Sequence, residues 1–364
     1  MIFVIMLVYA MYASLHEYKV APIATIGDLS HRRVPKHTTC LFLLLFFVCA
    51  LRGEAVGQDS GNYIAGFAFG VSERMEYGIR LILIICKTLG LRYQWFVIIF
   101  AILSLLPLYM AIKKESSIVA LSLLAYFSFS NYFYPEAFNA IRATTAVAFF
   151  VLSISFLHER NWKRYVCFSI IAILFHNTAI IAVLIGLLLL AVRKIPIKVA
   201  YVLIVVSFII GIVFKTGFSE YSDLISLWLG QYSGATADYY ALSASLMEEF
   251  NYNLAGTLST MLPFTIFATL CTNEKNSENI FYKIFLTGVV LSNIFVSVTL
   301  SYRITMFFTI LVCILAPNMI TSEKGMKQKA CVGLTLAMAF WFVYRLFVIQ
   351  DTMAGINPYV FFFE

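Results

Sequence analysis

Residues 137–177 read AFNAIRATTAVAFFVLSISFLHERNWKRYVCFSIIAILFHN. Two apolar runs of helical length flank a basic turn of Arg160, Lys163 and Arg164; the first opens on a lone arginine, Arg142, and the second closes on a lone histidine, His176. Runs this apolar suit hydrocarbon, where a helical span takes about 20 residues. An ionisable group at the edge of such a run is costly when unpaired, so Arg142 and His176 read as candidate site residues from the outset.

The rest of the chain has the same character. Of its 364 residues 61% are hydrophobic and only 12% charged, against about 25% charged in a soluble domain. This excludes an ordinary soluble enzyme and predicts an all-α, polytopic integral membrane protein. The net charge of +7 comes from Lys and Arg in small groups at the ends of apolar runs. That is the pattern of topology signals, and no nucleic-acid partner is expected. Seven cysteines lie within or beside apolar runs with no CxxC or Cys/His spacing, so neither a structural disulfide nor a metal site is expected.

Residues 1–15 lack a basic leader and a small-residue cleavage site, and read as a first membrane helix. Lys19, Arg32, Arg33 and Lys36 then assign the following segment to the cytoplasm. Further apolar runs at 38–51, 95–112, 118–130, 142–157, 200–214, 253–270, 284–300, 304–320 and 331–349 alternate with basic groups. The runs at 64–71 and 79–89 are too short to cross, and read as re-entrant or interfacial helices on the outer face. Residues 165–190 are interrupted by His176 and Asn177 and have basic flanks on both sides. That predicts two short helices meeting at the histidine on the outer side, as broken helices do where membrane proteins build sites. One crossing per run totals about twelve transmembrane helices in a single domain, residues 1–364. The segment 216–252 has no Lys or Arg, carries Glu220, Asp223, Asp238, Glu248 and Glu249, and is rich in tyrosine. It reads as a periplasmic loop.

With this topology Arg52, Asp59, Arg142, His176 and Arg303 fall at one membrane face although they are far apart in sequence. Guanidinium groups suit diphosphate oxygens, which they bind bidentately without losing their charge. A carboxylate or an imidazole can take a proton near neutral pH. Each also has an ordinary explanation: snorkelling arginines, a turn-forming aspartate, a histidine that joins two helices. Glu73, Glu76 and Glu136 read more simply as solvated turn residues.

Several short motifs occur in order. They are Leu51-Arg52, Val56-Gly57-Gln58-Asp59 with Tyr63, Phe138-Asn139-Ala140-Ile141-Arg142, Leu174-Phe175-His176-Asn177, and Tyr302-Arg303. In this order the sequence resembles the EpsG-like branch of the Wzy-type polysaccharide polymerases, departing from its pattern at Gln58, Ala143 and Asn177. The resemblance implies a GT-C-like membrane glycosyltransferase of the bacterial cytoplasmic membrane, active on the outer (periplasmic) face in O-antigen, capsule or exopolysaccharide synthesis. Its partners would be an undecaprenyl-diphosphate-linked glycan donor and acceptor, the lipid bilayer and a chain-length regulator protein, with no cofactor and no metal. Arg142 and Arg303 would bind the diphosphate, Arg52 would position it, and His176 or Asp59 would act as base. Competing readings are a flippase for the same lipid-linked oligosaccharide, an O-antigen ligase, and a scaffold component.

Overall fold

The computed structural model describes residues 1–20, 33–57, 59–70, 75–129, 133–217, 254–296, 298, 301–349 and 355–363. Among the described residues the regular structure is helical apart from one isolated antiparallel bridge between Arg52 and Phe361. It divides into two compact units, residues 1–179 with 313–364, and residues 180–312.

The first unit contains α1 (Ile2–Val20), α2 (Lys36–Ala50), α3 (Ser60–Phe69), α4 (Tyr77–Thr88), α5 (Tyr93–Glu115), α6 (Val119–Ser128), α7 (Ile141–His158) and α8 (Trp162–Phe175). The helices Val312–Ser322 and Met326–Tyr344 also lie in it, apart from the boundary residue Val312. α7 is the central rod. Every side chain from Ile141 to Leu157 is buried except that of Arg142, because α5 and α8 both pack along it. Small residues such as Ala143, Ala146, Ala148 and Ser153 allow this closeness, as they do in membrane helix pairs. α8 shows two faces. Tyr165, Ser169, Ala172 and Phe175 are buried at helical spacing, while Trp162, Val166, Ile170 and Leu174 are exposed on the other side, an apolar face suited to lipid. Near-parallel ring stacks of Phe149 on Phe168 and Phe175, and of Phe156 on Phe168, seal the α7–α8 seam.

Two buried carboxylates fix the ends of this bundle. Glu17 of α1 accepts from the backbone N–H groups of Val119 (3.1 Å) and Ala120 (2.8 Å) and from Thr38 Oγ1 (2.9 Å). It therefore supplies the orphan donors at the start of α6 with an acceptor from another helix. Glu115, ending α5, accepts from Ser155 Oγ (2.5 Å) and contacts His158 Nδ1 at 3.2 Å. Beside it, Lys114 pairs with Glu159 at 2.7 Å, which sets α5 and α7 in register at their shared C-terminal end.

The expectation of about twelve crossings is corrected. Among the described residues four helices are long and apolar enough to span a membrane: Tyr93–Glu115, Ile141–His158, Tyr302–Ser322 and Met326–Phe347. A count from alternating charge gives each apolar run one crossing, whereas crossing depends on unbroken helix length, about 1.5 Å per residue. α2 has 15 residues, α6 has 10, the helix Ala179–Ala191 has 13 and the helix Ile280–Ile294 has 15. α1 is longer, but it ends in the polar sequence His16-Glu17-Tyr18-Lys19. The run read as a span over 118–130 gives only the 10-residue α6, and the short 3-10 turn Pro135–Ala137 precedes α7. The predicted loop 216–252 lies, from residue 218 on, outside the described residues.

The second unit holds the helices Ile197–Gly217, Leu254–Cys271, Ile280–Ile294 and Tyr302–Thr309. Asn293 ties three of them, donating to Ser207 Oγ and accepting from Thr265 Oγ1, both at 3.2 Å.

Candidate functional site

Arg142 is the second residue of α7 and His176 directly follows α8, so an antiparallel hairpin brings both to the same end. The turn between the two helices and the start of α8, with exposed Arg160, Lys163 and Arg164, are at the other. Arg142 sits in the first turn of α7, where the helix dipole disfavours a cation, so it needs a counter-charge. Glu76 supplies it. This residue caps α4 in extended conformation, and its side chain makes no cap bond to its own helix. One carboxylate oxygen, Oε2, is ion-paired with Arg142, and the other, Oε1, lies 2.9 Å from His176 Nδ1. The Glu76 and His176 side chains are 9% and 12% exposed, and Arg142 is 29% exposed. The buried phenol of Tyr63 is a further neighbour of the guanidinium.

Local backbone features produce this meeting. His176 follows α8 in extended conformation (φ −156°, ψ 118°), and the next helix begins at Ala179. The predicted break at the histidine is therefore present. Gly78 lets the start of α4 close on the end of α8: a Cβ there would lie 2.8 Å from the Phe175 ring and 2.9 Å from Leu174 O. Gly78→Ala should push the two helices apart, lowering the thermal unfolding midpoint in detergent by an amount equivalent to about 1–3 kcal/mol, and should separate Glu76 from His176.

Burial by itself would raise the Glu76 carboxyl, but the His176 hydrogen bond and the Arg142 charge outweigh it and hold the group at about 2, below its ordinary 4.5. A carboxyl depressed in this way contributes stability that is fully present above pH 4.5 and is lost as pH falls towards 2, about 3 kcal/mol in all. Acid titration of unfolding should therefore show a loss across this window that Glu76→Gln removes.

Arg52 and Asp59 lie on the loop after α2. Arg52 is 3% exposed. Its guanidinium donates to Ala137 O at 3.1 Å and rests 5.4 Å from the centre of the Phe138 ring. Gly57 has φ +104°, and a Cβ there would sit 2.2 Å from Phe138 O, so only glycine lets this loop dock on the turn before α7. The Asp59 backbone N–H donates to Asn139 Oδ1 at 2.8 Å. Asn139 in turn donates to Glu136 Oε2 at 3.2 Å, as does the backbone of Ala140. Asp59 is half-buried and precedes α3 without a side-chain cap bond. Arg303 belongs to the second unit, in the first turn of the helix Tyr302–Thr309, with Nε 3.5 Å from the Tyr302 hydroxyl.

The EpsG family model matches residues 36–361. The chain belongs to the EpsG family. Membership accords with a membrane protein of polysaccharide biosynthesis, and the several apolar helices accord with residence in a membrane. Neither a curated protein nor a solved structure matches the chain. In this EpsG-family protein several motif residues acquire a physical task. Phe138 faces the Arg52 cation, Asn139 holds the backbone at Asp59, Arg142 meets Glu76, and His176 meets the same carboxylate.

The structure thus joins Arg142 and His176 through a residue that sequence reasoning set aside. Glu76 stands in a short polar turn and looks like a solvated carboxylate. The signal that could have found it was the imbalance itself, two basic groups at the edge of apolar helices in a chain with only 19 acidic residues. Glu136 is likewise not solvated but buried, and it staples the turn before α7. Glu73 lies outside the described residues.

Proposed function

We propose that this EpsG-family protein is a polysaccharide polymerase, a metal-independent glycosyltransferase that joins undecaprenyl-diphosphate-linked oligosaccharide repeat units on the outer face of the bacterial cytoplasmic membrane. The observation that carries the proposal is the meeting of a guanidinium and an imidazole on one carboxylate at one end of the α7–α8 hairpin. The exposed basic turn at the opposite end favours a cytoplasmic location for that end and an outward one for Arg142 and His176.

In this reading Arg142 and Arg303 bind the diphosphate of the donor. They stabilise the charge that collects on it as the anomeric C–O bond breaks, an electrostatic contribution made by fixed cations. The acceptor sugar hydroxyl attacks the anomeric carbon, and its proton passes to His176 or Asp59. Arg52, enclosed by Ala137 and Phe138, acts at one remove by holding the loop that carries Asp59. The partners are the lipid-linked donor and acceptor, with a chain-length regulator as a further candidate.

The test is reconstitution of the purified protein in liposomes with a lipid-linked repeat unit, followed by gel separation of the product. A ladder of extended chains supports the polymerase. Translocated but unextended repeat units support a flippase, and transfer to a different lipid acceptor supports a ligase. Labelling of Arg142→Cys and His176→Cys with a membrane-impermeant thiol reagent tests the face, and accessibility from the cytoplasm alone would exclude the proposed site.

A further inference from the structure

Resting on the polymerase reading, we propose that Glu76 is the positioning residue of this site, fixing the His176 imidazole so that Nε2 is the atom that takes the proton from the acceptor hydroxyl. The argument begins with donor and acceptor logic. An ionised carboxylate only accepts hydrogen bonds, and His176 Nδ1 lies 2.9 Å from Glu76 Oε1, so Nδ1 must carry a hydrogen. Arg142 holds the other oxygen. The carboxylate is therefore already balanced by one full positive charge, and a neutral imidazole completes an uncharged group of three. In that imidazole the lone pair is on Nε2.

Nε2 is buried and has no hydrogen-bond partner among the described residues, and two positions on, the buried hydroxyl of Thr178 has none either. A buried nitrogen left unbonded is costly, and a fold that orients the other ring nitrogen so tightly while leaving this one bare has prepared it for something absent from the folded chain. Both bare atoms lie at the break between α8 and the helix Ala179–Ala191, where the backbone can approach a ligand. The reaction balances as follows. The acceptor O–H proton moves to Nε2 as the new glycosidic C–O bond forms, and the electron pair of the breaking anomeric C–O bond leaves with the diphosphate. The imidazolium so formed is stabilised by Glu76 until its proton returns to solvent. Glu76 touches neither sugar nor diphosphate in this scheme and acts through His176.

Glu76→Gln makes the proposal testable through a feature of the amide. Arg142 has only donors, so the glutamine carbonyl turns to it and the amide NH2 faces His176 Nδ1. Nδ1 then has to accept, and the ring proton moves to Nε2. The chain has five histidines, so nitrogen-15 NMR of histidine-labelled full-length protein in detergent resolves the point once His176→Asn has identified the signal. The wild type is expected to show a neutral imidazole protonated on Nδ1, and Glu76→Gln one protonated on Nε2. Chain extension by Glu76→Gln should fall on the order of 10²–10⁴-fold in kcat, with a smaller change in KM for the acceptor. A wild-type imidazole protonated on Nε2 overturns the proposal, and so does a Glu76→Gln protein that extends chains at the wild-type rate. The wild-type spectrum alone decides the tautomer should the variant fail to fold. Failure of the polymerase reading would look different: wild-type protein that extends no chain although its imidazole is protonated on Nδ1.

Discussion

Arg142→Ala is expected to reduce chain extension in reconstituted liposomes on the order of 10²–10³-fold or more, the scale of removing one fixed charge from a developing anion. It should also weaken the fold. Without the guanidinium, the Glu76 carboxylate remains 9% exposed with only His176 to compensate it, and breaking a buried ion pair on one side costs roughly 3–5 kcal/mol. Because Arg142 itself is 29% exposed, the lower end of that range is expected. The two effects can be separated. In the double variant Arg142→Met with Glu76→Gln, both charges are gone and the amide can still bond Nδ1, so the thermal midpoint should recover towards the wild type. Extension should stay well below that of Glu76→Gln alone. If the double variant extended chains as fast as Glu76→Gln alone, Arg142 would be a structural residue and the diphosphate would have to be held elsewhere.

His176→Ala should show the opposite balance, a loss of extension on the order of 10²–10⁴-fold with little loss of stability. The imidazole contributes one hydrogen bond to Glu76, worth roughly 1.5–3 kcal/mol when one partner is charged. Against this stands the buried, unbonded Nε2, whose removal offsets part of that loss. A thermal midpoint near the wild-type value together with lost extension would mark a residue retained for chemistry. The comparison with Asp59→Asn assigns the base. His176→Ala is expected to fall further than Asp59→Asn, and the reverse ranking would move the proton transfer to the aspartate, whose backbone N–H already bonds Asn139.

The sequence showed some of this plainly and hid the rest for identifiable reasons. The helical class follows from long apolar runs, and the interruption at His176 follows from a polar pair inside one of them. The pairing of Arg142 with His176 at one end follows from two adjacent helices joined by a short turn. The number of crossings was hidden, because tertiary breaks decide where a helix stops. α6 supplies only ten residues of the run over 118–130, and α2 only fifteen before the stop at Arg52 and Gly53, so neither apolar run becomes a helix of spanning length. Glu76 was hidden because nothing in a six-residue neighbourhood separates a carboxylate facing water from one that turns back to an arginine 66 positions along the chain. The same holds for Gly57 and Gly78, whose need for a missing Cβ is visible only once Phe138 and Phe175 are in place.

The loop that carries Arg52 and Asp59 is clasped by residues about three hundred positions away. Gly53 N–H donates to Val360 O (2.8 Å), Phe362 N–H to Leu51 O (3.0 Å), Gly57 N–H to Gly355 O (2.9 Å), and the Tyr359 hydroxyl to Val48 O (2.6 Å). During synthesis, then, α2 and its loop are made long before their clasp exists, and Arg52 gains its final surroundings only after residue 362 has left the ribosome. A partly made chain cannot assemble this region, so the proposed site is incomplete in a nascent protein. The order in which the chain is made thereby ties completion of the proposed site to the presence of the whole of this unit.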